Sequence, residues 1–199
     1  MRVSHSVRFF DQQFQQQVAQ RDFALNPFEQ ASLDYLRGTM LDLGCGLGNL
    51  SFEAARRGCR VTAIDASLTA IEHIRREALA EDLDVTAVCA DLETWRADRN
   101  YDTAVAIGLL MFFQRERALA LLGEIRNSVA PGGCAVVNVL IEGTTFLDMF
   151  EPGNYYLFGR SELEREFTGW KILFSRHDWS PAPGDTRKEF HTLVAGRTG

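Results

Sequence analysis

Residues 40–50 read Met-Leu-Asp-Leu-Gly-Cys-Gly-Leu-Gly-Asn-Leu, and this stretch decides the fold of the chain. An apolar run ends at Asp42, three glycines follow at alternate positions, and a helix-like segment begins at once. A strand that turns on glycines into a helix can bring bare backbone N–H groups against a ligand. We therefore predict a ligand-binding turn in which a side chain at any of the three glycines would fill the ligand's space. The alternative is a glycine-rich turn that binds nothing, so the rest of the chain has to decide.

Strand-like and helix-like segments alternate after this turn. The predicted strands cover residues 40–44, 60–64, 85–89, 101–108 and 134–141, and the helices between them cover 49–57, 67–80 and 115–129. Alternation with short connections predicts a parallel sheet covered on both faces by helices, in which ligands bind beyond the carboxyl ends of the strands. We therefore expect one edge of the sheet to gather the residues at those ends: Asp42, Asp65, Asp91 and Gly108.

The segments that flank this core have different patterns. Residues 1–38 predict a cap of two helices separated by Pro27, because the residue before proline avoids helical geometry. The segment 142–160 is an aromatic-rich loop or lid. We expect one domain over residues 1–199, made of the helical cap 1–38, a cofactor-binding core 39–141, and a lid with C-terminal strands over 142–199.

Local sequence signals also predict one turn and one helix cap after residue 130. Pro131-Gly132-Gly133 predicts a turn before the strand 134–141. After the lid, Ser161 and Glu164 have the spacing of a capping box at the start of a short helix over 161–167. Strands over 170–176 and 189–196, joined by a Pro/Gly turn, would end the sheet in antiparallel fashion.

Composition and charge exclude several classes of protein. The chain has 199 residues, 46% of them hydrophobic, and a net charge of −6, whereas a nucleic-acid-binding protein usually carries a basic face. It contains no run of 18 apolar residues and no signal-like N-terminus, so we expect a cytoplasmic protein without a membrane partner. Its four cysteines contain no C-x-x-C pair, which predicts buried reduced thiols and no metal site.

The glycine turn could serve either of two cofactor classes. A dinucleotide fingerprint needs G-x-G-x-x-G, but position 49 is Asn where that pattern requires the third glycine. Asp42 would also repel a pyrophosphate, whereas it would suit a cationic amine. The turn therefore favours a positively charged, zwitterionic ligand over a dinucleotide.

Leu41-Asp42-Leu43-Gly44-Cys45-Gly46-Leu47-Gly48 resembles motif I of class I S-adenosylmethionine (SAM)-dependent methyltransferases. The resemblance implies a three-layer, doubly wound α/β fold, Rossmann-like, with a seven-stranded, mostly parallel sheet whose last strand is antiparallel. It implies SAM as cofactor and S-adenosylhomocysteine (SAH) as product. It also implies that Asp65 and Ala66 bind the ribose, Asp91 and Leu92 the adenine. The remaining cofactor-binding residues implied are Asp42, Gly44, Cys45, Gly46, Gly48, Asn49, Leu50, Ile107, Gly108 and Phe112.

A narrower resemblance is to the tellurite-resistance (TehB-like) methyltransferases, which act on small molecules. It rests on the order and spacing of residues 108–113, 131–133 and 163–170. The implied reaction is in-line displacement of a methyl group from a sulfonium. A thiol or chalcogen acceptor needs no general base, whereas a hydroxyl would need one, and His177 with Asp178 is the pair we would expect to act there.

We therefore predict a SAM-dependent methyltransferase that acts on a small molecule and is a monomer or homodimer. Three alternatives stay open: a non-catalytic SAM-binding or regulatory protein, a nicotinamide-dependent oxidoreductase, and a nucleic-acid methyltransferase. The sequence identifies neither the acceptor nor whether the lid moves.

Overall fold

A seven-stranded sheet forms the centre of the protein in a computed structural model that describes residues 5–199, with side chains from Arg8 onward. The strands are β1 (Thr39–Leu43), β2 (Arg60–Asp65), β3 (Val85–Cys89), β4 (Tyr101–Ile107), β5 (Val129–Leu140), β6 (Lys171–Ala182) and β7 (Thr186–Gly196). The helices are α1 (His5–Gln20), α2 (Pro27–Ser32), α3 (Asn49–Arg56), α4 (Leu68–Ala80), α5 (Arg115–Ser128) and α6 (Glu162–Glu166). Residues 1–4 of the predicted helical cap lie outside the described part.

The strand order is β3-β2-β1-β4-β5-β7-β6. Strands β1 to β5 pair in parallel, and β7 runs antiparallel to both of its neighbours, β5 and β6. The order therefore reverses between β1 and β4, which is where a doubly wound sheet binds its ligand. The predicted fold class is confirmed, including the antiparallel last strand.

Alternating residues of the central strand β1 supply both faces of the sheet. Leu41 and Leu43 pack into the apolar cluster that contains α5, whereas Met40 packs into the cluster that contains α3 and α4. All three are fully buried, and each contributes about 1.5–3 kcal/mol of hydrophobic free energy. This placement fixes which way β1 faces and hence where the glycine turn emerges.

Local signals start and stop the predicted helices correctly at two places. Pro27 is the first residue of α2, and Asn26 caps that helix in a reciprocal capping box with Glu29. Gly58, with φ of 91°, follows the end of α3 and takes the left-handed conformation that glycine allows.

The predicted turn at Pro131-Gly132-Gly133 is wrong, because these residues lie inside β5. The register between β4 and β5 is irregular between Tyr101 and Thr103, so the extra residues form a bulge rather than a loop. A Cβ on Gly133 would lie 2.6 Å from the carbonyl oxygen of Asp102. Glycine is therefore required here for β5 to approach β4, not for a chain reversal.

The C-terminal hairpin is longer than predicted. Pairing continues past the predicted ends, from Lys171 opposite Gly196 to Ala182 opposite Thr186. His177 and Asp178 consequently lie within a strand rather than in the connecting turn. Both residues pair across the hairpin, His177 with His191 and Asp178 with Phe190.

The predicted capping box at Ser161 is also wrong. Its side chain caps nothing, and its dihedral angles (φ −110°, ψ 11°) are not those of an extended N-cap residue. The buried Glu162 instead accepts hydrogen bonds from the Gly159 N–H (2.9 Å) and the Tyr156 hydroxyl (2.6 Å). Glu162 thus anchors the end of the 142–160 segment to α6.

The four cysteines are all free, but only two of them match the prediction of burial. Cys59 and Cys134 are buried, Cys45 is partly buried, and Cys89 is exposed. Cys89 is exposed because it ends β3, an edge strand of the sheet. Among the helices of residues 5–199, none combines the length and the apolar character needed to cross a bilayer.

Candidate functional site

The glycine loop, residues 44–48, leaves β1 with left-handed backbone at each of its three glycines, with φ of 73°, 52° and 79° at Gly44, Gly46 and Gly48. A Cβ on Gly44 would lie 2.8 Å from the Leu109 side chain, and one on Gly48 would lie 2.7 Å from Ile74. For these two glycines the prediction that they clear space for a ligand stays a prediction, because their nearest neighbours are protein side chains. They clear space for packing against the β4–α5 connection and α4.

At Gly46 the glycine loop is covered by a single side chain, that of Phe14. The nearest atoms to a Cβ built there belong to the ring of Phe14 in α1, at 3.3 Å. Since α1 is a separate helix connected through residues 21–26, this ring lies over the loop as a cover rather than as part of its framework. Gly46 is thus the position at which bare backbone faces a space that a ligand could take.

Asp65 holds the glycine loop to the next strand end. Its two carboxylate oxygens accept hydrogen bonds from the Gly46 N–H (3.0 Å) and the Ser67 N–H (2.8 Å). Burial raises the pKa of Asp65, the backbone hydrogen bonds from Ser67, Gly46 and Ala66 oppose that rise, and Asp11 adds to it. Asp65 therefore joins the loop to the β2–α4 connection, as well as lying where the resemblance expects a ribose-binding acid.

Asp42 is a buried carboxylate at the end of β1. It accepts a 2.6 Å hydrogen bond from the Ser51 hydroxyl. Burial raises the pKa of Asp42 to about 7, the Ser51 hydrogen bond opposes the rise, and Glu29 and Asp65 add to it. Asp42 is consequently close to its titration point at neutral pH.

Uncompensated negative charge gathers at this edge of the sheet. Asp11 of α1 accepts a short hydrogen bond from the Ser67 hydroxyl, next to Asp65. Among the residues whose side chains the structure describes, no lysine or arginine forms an ion pair with Asp11, Asp42 or Asp65. Like charges raise one another's pKa, and a bound cation would relieve that repulsion. The site therefore fits a positively charged ligand.

The expected adenine end of the site is only partly available. Asp91 is exposed, and one of its oxygens accepts a 3.0 Å hydrogen bond from the Glu93 N–H. Leu92 is buried in the core, and its carbonyl accepts hydrogen bonds from the Arg117 guanidinium. The structure thus offers the remaining oxygen of Asp91 to a ligand, but not the Leu92 side chain.

Some of the other residues predicted to bind the cofactor are buried in the core, and others lie beside the glycine loop. Leu50 is buried in the core beneath α3, and its side chain does not face the loop. Asn49 has a buried side-chain oxygen without a hydrogen-bond partner, and it lines a small cavity with Phe23, Phe52 and His73. Burial raises the pKa of the Cys45 thiol well above its usual value, with Asp42 adding to the rise, so Cys45 is a neutral lining group. Ala66 is partly buried and follows Asp65.

The end of β4 lies beside the glycine loop. Gly108, with φ of 68°, would have no atom within 4 Å of an added Cβ, so it borders open space, and Ile107 before it is partly buried. Leu109 then packs on Gly44, and a 3-10 turn over Leu110–Phe112 follows. The two strand ends on either side of the topological switch are therefore in contact.

An aromatic row extends from the glycine loop to the lid. We use this name for five rings in sequence from the glycine loop to the lid: Phe14, Phe10, Phe112, Phe150 and Tyr155. Successive centroids are 5.9, 5.0, 5.1 and 4.7 Å apart. The sequence predicted a helical cap in this part of the chain, but no signal in it placed that helix over the glycine loop.

The structure does not bring His177 and Asp178 to this site. Both lie on the edge strand β6, four strands away from β1, a separation of roughly 19 Å at the usual strand spacing. Asp178 accepts a 2.7 Å hydrogen bond from Arg176, and His177 stacks on His191 with ring centroids 4.1 Å apart. Their side chains are occupied in the hairpin, so we do not retain them as a general base.

Comparison with known proteins bears on the core and on the whole fold. Residues 40–133 match the family model described as a methyltransferase domain. Over 124 residues the chain is 36% identical to the cypemycin N-terminal methyltransferase of a Streptomyces species, covering 61% of this chain and 45% of that protein. It is 26% identical over 135 residues to the probable SAM-dependent methyltransferase TehB of Haemophilus influenzae, covering 67% and 46%. The chain thus spans a little under half the length of these relatives.

Solved structures share the fold. The crystal structure of TehB from Haemophilus influenzae has a TM-score of 0.76 at 20% identity, covering 88% of this chain and 63% of that one. The N-methyltransferase NodS from Bradyrhizobium japonicum, solved with SAH, has a TM-score of 0.68 at 17% identity, covering 92% and 98%. At these identities the likeness concerns the architecture alone.

Proposed function

We propose that this chain, whose residues 40–133 match a methyltransferase domain, transfers a methyl group from SAM to a small, partly apolar acceptor. The match of the core to the methyltransferase domain supports the family, the enzyme class and the cofactor class predicted from the sequence. The acceptor is proposed from the site of this chain, not taken from its relatives.

One observation carries the proposal: the glycine loop is surrounded by acids that have no cationic partner among the described residues. Burial chiefly raises the pKa of Asp42 and Asp65, and neighbouring acids add to the rise; SAM carries a sulfonium and an α-ammonium, and either would favour the ionised carboxylates. The bare backbone at Gly46 would lie against the ligand, and Asp65 and Asp91 each retain lone pairs for its sugar and base. A dinucleotide pyrophosphate would meet these same acids as like charges.

The acceptor would lie under the aromatic row, next to Gly108. When bound, SAM supplies a methyl group on a sulfonium whose positive charge disappears as the methyl is transferred. The rings of Phe10, Phe112 and Phe150 exclude water from that place, which favours loss of charge. Holding the acceptor in line with the methyl can supply much of the ~7–11 kcal/mol available from orientation.

We propose a soft nucleophile, a thiol or a reduced chalcogen, as the methyl-accepting atom. Among the residues whose side chains are described, no histidine belongs to the aromatic row, and the acids of the loop are committed to the cofactor end. A thiolate or selenolate attacks without a general base, whereas a hydroxyl would require one. The experiment is turnover of methyl-labelled SAM by the purified chain against a panel of thiols, chalcogen oxyanions with a reductant, amines and phenols. Labelling of amines or phenols without thiols or chalcogens would overturn this choice.

A second candidate, N-methylation of a small amine, is favoured by the aromatic row itself. Aromatic faces attract an alkylammonium, and the cypemycin relative is named as an N-terminal methyltransferase. The amine arm of the same panel decides between the two.

The proposal includes a reducing cytoplasmic location, supported by four free thiols, and a monomer or homodimer. It also includes a small-molecule acceptor rather than nucleic acid, supported by the net charge of −6. Salt-dependent binding of RNA or DNA would count against it.

A further inference from the structure

Lys188 is a half-buried cation on the acceptor side of the sheet. It lies on β7, two residues from Phe190, so both side chains leave the same face of that strand. Its ammonium lies 4.9 Å from the centroid of the Phe146 ring. Among the described residues it forms no ion pair and no side-chain hydrogen bond, although the neighbouring Arg187 pairs with Glu189 at 2.9 Å.

The surroundings of Lys188 are continuous with the aromatic row. Phe146 and Phe190 pack on the cluster formed by Met111, Leu140, Met149 and Phe150, and Phe112 packs on the same cluster. Hydrogen bonds from the Thr145 and Phe146 N–H groups to the Arg187 carbonyl tie the lid to β7 at this point. Lys188 therefore lies over a ring of the apolar cluster on which Phe112 of the aromatic row also packs.

An unpaired, partly buried ammonium is destabilising unless something compensates it. Burial is the one cause that lowers the pKa of Lys188, and no neighbouring carboxylate opposes it. The Phe146 face offsets only part of that cost, since a cation–π contact contributes ~0.5–2 kcal/mol. An anionic group on a bound ligand would supply the missing charge.

We propose that Lys188 binds a carboxylate at the end of the methyl acceptor opposite to the methylated atom. The acceptor is then a small apolar molecule with one anionic end. A carboxylate fits better than a phosphate, because one ammonium supplies one charge and the adjacent Arg187 is already paired on the other face of the strand. This inference rests on the proposed function, because it places the acceptor under the aromatic row.

The test uses the purified full chain saturated with SAH and three probes of one shape: 3-phenylpropionate, 3-phenylpropan-1-ol and 3-phenylpropylammonium. Calorimetry should give a carboxylate affinity roughly tenfold or more above that of the alcohol, as expected for a charged hydrogen bond, with the ammonium weakest. In Lys188→Met the preference for the carboxylate should disappear, and in Lys188→Arg it should persist.

The chain offers a matched control, because Lys171, exposed on β6, is its only other lysine. Lys171→Met should leave the probe affinities unchanged. Reductive 13C-methylation then gives two lysine signals, and only that of Lys188 should shift on addition of 3-phenylpropionate.

Equal affinities in the unmodified chain, a carboxylate preference that survives in Lys188→Met, or no binding of any probe would each overturn the inference. SAH affinity, measured in the same variants, separates this failure from that of the proposed function. If SAH binds normally to Lys188→Met and the probes behave as stated, the proposed function and the role of Lys188 are both supported. If SAH binds but the carboxylate is not preferred, only the role of Lys188 fails. If SAH does not bind the unmodified chain, the proposed function fails, and the probes titrated alone decide the role of Lys188.

Discussion

The two ends of the candidate site are built by different means. The cofactor end is made of backbone and short acids that follow three strands directly: the glycine loop after β1, Asp65 at the end of β2 and Asp91 after β3. The acceptor end is made of large side chains that come from α1, the β4–α5 connection, the lid and β7. One end is fixed by local chain geometry, whereas the other exists only when distant segments pack together.

Because of this difference, we expect substitutions at the two ends to affect different properties. A strand end cannot move without disturbing the sheet, so a change there should alter cofactor affinity directly. A packed ring can be replaced by a similar apolar side chain at a cost below ~1.5 kcal/mol. We therefore expect cofactor binding to depend on a few loop positions, and acceptor choice to depend on side chains that leave cofactor binding nearly unchanged.

The largest effect is expected from Gly46→Val. The new side chain would enter the space between the loop and Phe14, and SAH affinity should fall by at least ~3 kcal/mol, roughly a hundredfold. Gly58→Val is the matched control, since Gly58 also has positive φ but nothing within 4 Å of its added Cβ. Both variants should lose ~1–2 kcal/mol of stability from backbone strain, but only Gly46→Val should lose SAH in calorimetry. Equal SAH affinity in the two variants would remove the loop from the site.

The next effect in size is expected from Asp65→Ala. Loss of the acceptor for the Gly46 N–H, and of its bonds to the ligand, should weaken SAH binding by ~1–3 kcal/mol. Asp102 provides the control, because it accepts two 2.8 Å hydrogen bonds from Thr39 at the opposite edge of the sheet. Asp102→Ala should lower the unfolding free energy without changing SAH affinity, measured by denaturation and calorimetry in parallel. Weakening of SAH by both variants to the same extent would mean that Asp65 acts only through stability.

A smaller effect, up to ~tenfold per pH unit, is expected from the titration of Asp42. Its pKa in the free protein is raised to about 7, and a cationic amine prefers the ionised form. SAH affinity should therefore be low at pH 6 and rise through pH 7 towards pH 8.

Two variants check the assignment of that titration. Asp42→Asn should abolish the slope, and Ser51→Ala should move the rise to higher pH, because it removes the hydrogen bond that favours the carboxylate. A slope that persists in Asp42→Asn would assign the titration to another group.

The smallest effect on cofactor binding is expected from Phe112→Leu. Phe112 lies in the middle of the aromatic row, so its replacement should raise the KM for whichever acceptor the panel identifies. SAH affinity should stay within about twofold, since the ring of Phe112 contacts Phe10 and Phe150 rather than the glycine loop. Phe167→Leu, in the core beside α6, is the control that should change neither quantity. A large loss of SAH in Phe112→Leu would restore this residue to the cofactor end, as the sequence resemblance implied.

Much of the cofactor end could be predicted from the sequence, because its signals are local. Three glycines at alternate positions and an acid after each of three predicted strands were enough to place the loop, Asp42, Asp65 and Asp91 on one edge. Side-chain direction could not be predicted in the same way. Leu50 and Leu92 lie in the right segments, but the helix and connection that carry them turn these side chains into the core.

The errors at the other end have a different cause. His177 and Asp178 were expected to act on the acceptor, but the hairpin extends past the predicted turn and leaves them on an edge strand. Strand pairing over many residues, which no short pattern encodes, determined where that turn falls.

The sequence by itself determined the sheet, the sharp turn after its first strand and the acids at its carboxyl edge. It could do so because positive φ and the end of an apolar run are properties of a few adjacent residues. Only the tertiary structure decided that Phe14 covers Gly46, that the aromatic row is continuous, and that Lys188 has no ionic partner among the described residues where it lies over Phe146. Those features join residues that are far apart in the chain, such as Phe10 and Phe112, and they depend on packing that forms only when the whole chain has folded.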